Sequence, residues 1–500
     1  MTELFANLGL GFAVALTPEN LVYCLFGVLL GTLVGVLPGI GPVATIAMLL
    51  PITFNLAPIG ALIMLAGIYY GAQYGGSTTA ILVNLPGESS SVVTCIDGYQ
   101  MARQGRAGAA LAVAALGSFF AGCVATVIVA LFSPPLIVLA QRFGAAEYFA
   151  LMTFGLVAAV VLAHGSLIKA VAMVFLGLFL GLVGTDVNSG AQRFTLGIPE
   201  LTDGIGFVPL AMGLFGIAEI VANLAHPERR ELLAERVGHL MPSRADFRAS
   251  WPASLRGTAL GSFLGILPGG GALLSSFAAY TLEKKIAQDP SRFGKGAIEG
   301  VAGPESANNA GAQTSFIPML TLGIPPNPVM ALMIGAMTIQ GIQPGPQVMS
   351  QRPELFWGMI ASMWVGNLLL VIINLPLIGI WVRLLRVPYR LLYLAILMFC
   401  CIGVYSLNNS TFEVGLTALF GLVGYVFIRL GCEPAPLLLG FILGPLMEEY
   451  LRRALLLSRG DPTVFVTRPI SLALLLAAVA LLVIVILPAV RRTRDSAFQD

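Results

Sequence analysis

An all-α chain threaded many times through a bilayer is what these residues predict, and two observations carry that reading. Of 500 residues, 57% are hydrophobic and 10% charged, with a mean hydropathy of +0.88. Soluble globular chains carry about 25% charged residues, so a body of this size lacks the charge to wet its own surface. The second observation is the form of the apolar stretches. A transmembrane barrel needs alternating segments of about ten residues, whereas this chain has unbroken blocks: Ala109 to Leu131, Tyr148 to Ala163, Leu167 to Val183, Phe207 to Leu224, Leu355 to Val382, Leu391 to Leu407, Val414 to Ile428 and Ser471 to Val490. Each is long enough, or nearly so, to cross a hydrocarbon core as a helix, and with the Gly- and Pro-rich stretches about eleven to fourteen membrane-inserted segments are expected.

Other classes fall at the same step. A net charge of +2 with no basic block beyond pairs such as Lys284 and Lys285 leaves nucleic-acid binding without support. The six cysteines show no C-x-x-C pair and read as small membrane-buried hydrophobes rather than disulfides or metal ligands. No basic region precedes the first apolar residues, so a removed signal peptide is not expected.

Charge sets the expected topology. His226 to Arg256 carries six arginines and the tail after the last apolar block reads RRTRD, so both belong in the cytoplasm by the positive-inside rule. The chain then divides into a first transmembrane repeat (1–225), a cytoplasmic linker (226–256), a second repeat (257–470), and a C-terminal transmembrane helix with a cytoplasmic tail (471–500). The repeat shows in GTLVGVLPGIGPVATIA from Gly31 and GSFLGILPGGGALLSSF from Gly261, and again in Gly71-Ala72-Gln73 and Gly311-Ala312-Gln313. Pro51 to Pro58 is uncharged while its counterpart after the second LPG holds Lys284, Lys285, Arg292 and Lys295. The two repeats are therefore expected to be inverted. Arg256 and Lys284 lie too close in sequence for two full spans, so a hairpin that enters and leaves by one face, with LPGGG at its tip, is predicted; each half then has such a hairpin and a Pro-broken helix.

Broken backbone at membrane depth has a chemical use. Glycine allows close approach of a ligand and proline stops a helix, so the break exposes N–H groups and the positive dipole end, which suit an anion, beside carbonyls that suit a cation. Leu21 to Gly87 and Ser306 to Gln351 contain no Asp, Glu, Lys or Arg. Recognition of an anion there falls to dipoles and small polar groups. The candidate substrate-binding residues are Gly39, Gly41, Ser77, Thr78, Asn84, Pro86, Gly87, Gly269, Gly270, Asn308, Asn309, Pro325 and Asn327; Glu305, Asn309 and Thr314 are the candidates for a coupling ion. The Gly31/Gly35 spacing reads instead as helix packing. Glu305 is equally readable as a helix N-terminal carboxylate, Glu88 follows the first break in the same way, and Asp97 reads as a loop cap near Arg103 and Arg106. Lys169 reads as snorkelling to the interface, the scattered histidines as no metal site, and Glu448, Glu449, Arg452 and Arg453 as an interfacial segment or a partner contact.

The runs from Tyr69 to Leu111 (with GAQYGGSTTAILVNLPGESSS), Gly265 to Gly271 (GILPGGG) and Glu299 to Met337 (with GPESANNAGAQTSF and LGIPPNP) resemble the large membrane subunit of the tripartite tricarboxylate transporters, over nearly the whole chain. The resemblance implies a bacterial inner-membrane secondary transporter for carboxylates. It also implies a small four-helix membrane subunit and a periplasmic substrate-binding protein as partners, and a sodium or proton gradient as the driving force; no cofactor is expected beyond that ion. The family's motifs fall on Gly39, Gly41, Gly75, Gly76, Pro86, Gly87, Pro268, Gly269, Pro304, Glu305, Asn308, Asn309 and Pro325. A glycine would be expected where Pro326 stands. A primary pump lacks its phosphate loop here, and an intramembrane enzyme lacks H-E-x-x-H and G-x-S-x-G. A scaffold role in another membrane complex would leave the duplicated polar breaks unexplained.

Overall fold

In the computed structural model the described residues are 2–37, 41–163, 166–186, 189–225, 240–267, 271–385 and 389–486. They run α1 (Thr2–Ala15), α2 (Pro18–Val36), α3 (Pro42–Thr53), α4 (Pro58–Val83), α5 (Val92–Arg103), α6 (Ala107–Ala140), α7 (Ala145–Leu162) and α8 (Leu167–Gly181). A two-residue β-hairpin (Gly184–Thr185 against Gln192–Arg193) follows, then α9 (Phe207–Ala211), which passes through a π-helical turn (Met212–Ile217) into α10 (Ala218–Ala225). The second half holds α11 (Arg244–Ile266), α12 (Gly271–Ile286), α13 (Glu299–Thr314), α14 (Phe316–Leu322), α15 (Pro328–Ile339), α16 (Gln347–Gln351) and α17 (Pro353–Asn374). It closes with α18 (Ile378–Leu384), α19 (Tyr389–Asn408), α20 (Thr411–Arg429), α21 (Ala435–Leu457), α22 (Val464–Thr467) and α23 (Pro469–Ile486). Five of the described helical stretches are long and apolar enough to span a membrane, and further apolar helices are shorter. The protein is an all-α polytopic membrane protein.

Lipid is as apolar as leucine, so helices in it are held by close packing and hydrogen bonds rather than by hydrophobic burial. The glycines of α2 and α11 supply that packing. Spaced four apart on one face, they let α2 lie on α4 and α11 on α13. A Cβ at Gly27, Gly31 or Gly35 would stand 2.2–2.4 Å from the carbonyl oxygens of Met64, Ile68 and Ala72. At Gly257, Gly261 and Gly265 the same test gives 2.2–2.3 Å to those of Gly303, Ala307 and Gly311. The duplication is therefore repeated contact by contact, and Gly31 and Gly35 are packing residues. Gly261→Ala forces two backbones apart and is expected to cost about 1–3 kcal/mol, read as a lowered Tm of the purified chain.

The two LPG-flanked pairs differ. α12 packs against α11 and α13 and closes a hairpin, whereas α3 leans on α4 and the π-helical turn and leaves α2 largely to α4. α11 starts at Arg244, inside residues 226–256, because Ser243 and Asp246 form a capping box there: the Ser243 hydroxyl accepts the Asp246 N–H at 3.1 Å and Asp246 accepts the Ser243 N–H at 3.1 Å. The LPG tip residues Gly39, Pro268, Gly269 and Gly270 lie outside the described residues, as do 226–239 and the tail from 487.

Both helix breaks end on a residue in the left-handed region. α4 stops at Asn84 (φ 58°) and α14 at Gly323 (φ 70°), and proline follows in each case. Asparagine and glycine are the residues that reach this conformation at low cost, and proline prevents the helix from resuming. Chain direction then turns through Leu85-Pro86-Gly87 or Ile324-Pro325-Pro326 before a new helical segment begins.

Candidate functional site

Each segment after a break is capped by its own side chain. Glu88 accepts the Ser90 N–H at 3.0 Å and also the Ser90 hydroxyl, while Asn327 accepts the Met330 N–H at 3.0 Å and donates to the Ser315 hydroxyl at 3.0 Å. Gly87 is wedged against α2 and α4: a Cβ there would lie 1.8 Å from the Gly35 carbonyl oxygen and 2.6 Å from the Gly76 Cα. Pro326 occupies the matching place in the second break, where two successive prolines fix the backbone.

The two breaks meet at one cavity of about 590 Å³. Its wall takes Pro86, Gly87, Glu88 and Ser89 from the first break, and Pro326, Asn327 and Pro328 from the second. Gly41 and Pro42 open α3 beside it, and Gly271 and Ala272 open α12. Tyr69, Phe215, Glu219, Asn223 and the start of α21 from Glu433 complete the wall. The starts of α3, α12, α15 and α21 thus all border one space, each bringing the positive end of a helix dipole and unpaired N–H groups. No lysine or arginine is among the described lining residues, while three carboxylates, Glu88, Glu219 and Glu433, are. Glu219 takes the backbone N–H of Gly41. Among the described lining residues the positive partial charges come from backbone N–H groups, and an anion entering the cavity meets the Glu88 and Glu219 carboxylates, whose charge works against it unless a cation or proton comes with it.

Of the sequence-predicted substrate residues, Gly41, Pro86, Gly87 and Asn327 line this cavity, and Gly39, Gly269 and Gly270 lie outside the described residues. Ser77, Thr78, Asn84, Asn308, Asn309 and Pro325 are not part of its wall. Asn308 and Asn309 join Glu305 instead. Fully buried on α13, the Glu305 carboxylate accepts from Ser77 Oγ at 2.6 Å, from the Thr94 hydroxyl and from Asn308 Nδ2 at 3.3 Å. Asn309 Nδ2 donates to Asn308 Oδ1 at 2.6 Å and to Ser118 Oγ at 2.8 Å. Glu305 lies beyond the first turn of α13, so it does not cap that helix. Thr314 stands apart from the network, its hydroxyl bonded to Ala310 O at 3.0 Å.

Asp97 caps a loop, but a distant one: Oδ1 accepts the N–H groups of Gly294, Gly296 and Ala297 at 2.7–2.9 Å, and Oδ2 accepts the Tyr280 hydroxyl at 2.9 Å. Arg106 pairs with Asp246. Lys169 donates to Leu430 O at 2.5 Å. Glu448 and Arg452 join Arg193 and Asp186 beside the β-hairpin. Tyr69, Glu219, Asn223 and Glu433 are cavity residues that motif reading did not single out. Glu219 had a usable signal, being a lone charge in an apolar block. Asn327→Asp keeps a good cap but adds a carboxylate to the wall. It is expected to leave Tm within a few degrees and to weaken anion binding at this wall about tenfold, since about 1.4 kcal/mol of repulsion suffices.

The profile of the Tripartite tricarboxylate transporter TctA family matches residues 21–439. An Agrobacterium vitis protein described as an uncharacterized 52.8 kDa protein in the TAR-I ttuC' 3' region is 62% identical over 500 residues, the whole of both chains. A second from the same organism, described as an uncharacterized protein in the TAR-II ttuC' 3' region, is 62% identical over 240 residues, 48% of this chain and 99% of its own length. No solved structure matches. With the profile covering most of the chain, and the duplicated breaks converging on one cavity, the chain belongs to the TctA family, the membrane component of tripartite tricarboxylate transporters.

Proposed function

We propose that the chain is the permease of a binding-protein-dependent secondary transporter that imports carboxylates across the bacterial inner membrane, driven by a sodium or proton gradient. The carrying observation is the single cavity of about 590 Å³ at which both breaks and the starts of α3 and α12 converge. Substrate carboxylates bind there to the helix starts, with Asn327 and Ser89 as side-chain donors. Counter-charge enters with the substrate, because Glu88 and Glu219 stand on the wall where the substrate anion binds. The partners are a small four-helix membrane subunit and a periplasmic binding protein that delivers the substrate.

Inverted repeats fit the contacts at the outer ends of the breaks. Gln340, at the end of α15, donates to Thr53 O of the first LPG-flanked pair at 2.7 Å, while Asp97, midway along α5, bonds to the loop after α12 and Arg106, just past the end of α5, pairs with Asp246 at the start of α11. Each broken helix thus reaches the open end of the opposite half's pair. The linker and C-terminus lie in the cytoplasm in this reading.

The test is uptake of labelled citrate and of dicarboxylates by proteoliposomes holding all three components, with sodium and proton gradients imposed separately. Accumulation that needs the binding protein and one gradient is expected. Uptake that runs on ATP after both gradients are collapsed would sink the proposal.

A further inference from the structure

A second, much smaller space, of about 10 Å³, lies between α4, α6 and the end of α17. That is room for about one water-sized sphere. Its polar lining is Tyr74, Ser77, Thr78, Ser118 and Asn374, and the rest is apolar. The protons of this lining are largely spent elsewhere. Thr78 Oγ1 donates to Tyr74 O at 3.3 Å, Ser77 Oγ lies 2.9 Å from Gln73 O and 2.6 Å from Glu305 Oε2, and Ser118 Oγ donates to Glu305 O at 3.2 Å while accepting Asn309 Nδ2 at 2.8 Å, which leaves it one lone pair. A hydroxyl whose proton is committed outward leaves its lone pairs available inward. Asn374 Nδ2 donates to Leu370 O at 2.9 Å and Thr32 Oγ1 at 3.4 Å, which fixes the amide with Oδ1 as its free end. That Oδ1 and the Tyr74 hydroxyl have no partner among the described residues, although Asn374 is 4% and Tyr74 3% exposed.

Behind Ser77 stands the Glu305 carboxylate, 0% exposed and with no lysine, arginine or histidine in ion-pair reach among the described residues. A buried carboxylate without counter-charge is costly. Neutral oxygens presenting lone pairs around a space of this size, one hydroxyl away from an unpaired negative charge, suit a small hard monovalent cation stripped of water. A divalent ion would take the carboxylate directly into its shell.

We propose that Tyr74, Ser77, Thr78, Ser118 and Asn374 form a sodium site, with Glu305 as its counter-charge. The proposal rests on the ion-coupled import reading for its role and assigns Ser77 and Thr78 to the cation rather than to the substrate. It also gives a path between ion and substrate. Less than two helical turns separate Thr78 from Asn84, so a cation that holds the end of α4 also fixes the break that presents Gly87 and Glu88 to the larger cavity.

The test uses the full chain in lipid nanodiscs, with ²²Na⁺ binding and Tm measured against NaCl replaced by KCl at constant ionic strength. Saturable sodium binding and a sodium-specific rise in Tm are expected. Asn374→Leu and the near-isosteric Thr78→Val should each weaken sodium affinity roughly tenfold or more, the loss of one buried polar partner. Absence of sodium-specific binding by the unmodified chain would mean that the space holds water only and would overturn the proposal. So would unchanged affinity in Thr78→Val, which places the ion elsewhere; that variant is decisive if Asn374→Leu fails to fold. Because binding is read without transport, failure here beside intact gradient-driven uptake leaves the import reading standing, and sodium binding without uptake leaves the site standing.

Discussion

Gly87→Ala is expected to abolish uptake, because the added carbon meets the tightest contact of any glycine among the described residues. The added carbon would sit 1.8 Å from the Gly35 carbonyl oxygen and 2.6 Å from the Gly76 Cα, both backbone atoms, so no rotamer change relieves it. Overpacking of a tight interior costs about 1–3 kcal/mol, and here the collision is with two helices at once. The strain falls on the loop that carries Pro86 and Glu88 into the cavity, so substrate geometry suffers before the fold does. Uptake at background from a chain that still inserts and elutes as a folded species is the expected result; uptake within twofold of the unmodified protein, roughly 0.4 kcal/mol, would show that the wedge is not needed.

The second large effect is at Glu305. Glu305→Ala removes the acceptor shared by Ser77, Thr94 and Asn308, and an unsatisfied buried donor costs about 1–3 kcal/mol each. Ser77 retains Gln73 O at 2.9 Å, so the loss is carried mainly by Thr94 and Asn308. A clear fall in Tm and in folded yield is expected. Glu305→Gln keeps the volume and one acceptor oxygen while removing the charge. It is expected to fold, with a smaller fall in Tm, and, on the proposed sodium site, to weaken sodium binding about tenfold or more, as befits loss of a counter-charge worth at least about 1.4 kcal/mol. Sodium dependence identical to that of the unmodified protein would remove the carboxylate from any coupling role.

The parts of this architecture that follow local chemistry were legible in the sequence. Glycine four apart can only serve close approach on one helix face, so the α2–α4 and α11–α13 seams were foreshadowed by the GTLVG and GSFLG runs. Asn84 and Gly323, each followed two residues later by a proline, mark helix ends: a residue at ease in the left-handed region with a proline behind it. What a helix does with its other faces is not written locally. Ser77, Thr78 and Thr79 are consecutive, yet Ser77 faces Glu305 and Thr79 bonds to Val36 O at 2.8 Å, because successive residues point about a quarter-turn apart. Thr314 reads as an ion ligand by its nearness to Asn309 in sequence, and its hydroxyl donates to Ala310 O on its own helix without joining the Glu305 network. The third wall of the cavity comes from Glu219 and from the start of α21, distant segments without a repeated motif to mark them.

Asp97 bears on how the chain is made. Its four donors are supplied by Tyr280, Gly294, Gly296 and Ala297, some 183 to 200 residues further along. During synthesis at about 5–20 residues per second, the first half must wait on the order of ten seconds or more with this carboxylate unsatisfied before its clasp emerges from the ribosome. Thr94 and Ser77 wait still longer for Glu305. The first half therefore carries buried polar groups whose partners only the second half supplies. Co-expressing the halves as separate polypeptides would restore the clasp only if both reached the same insertion site together.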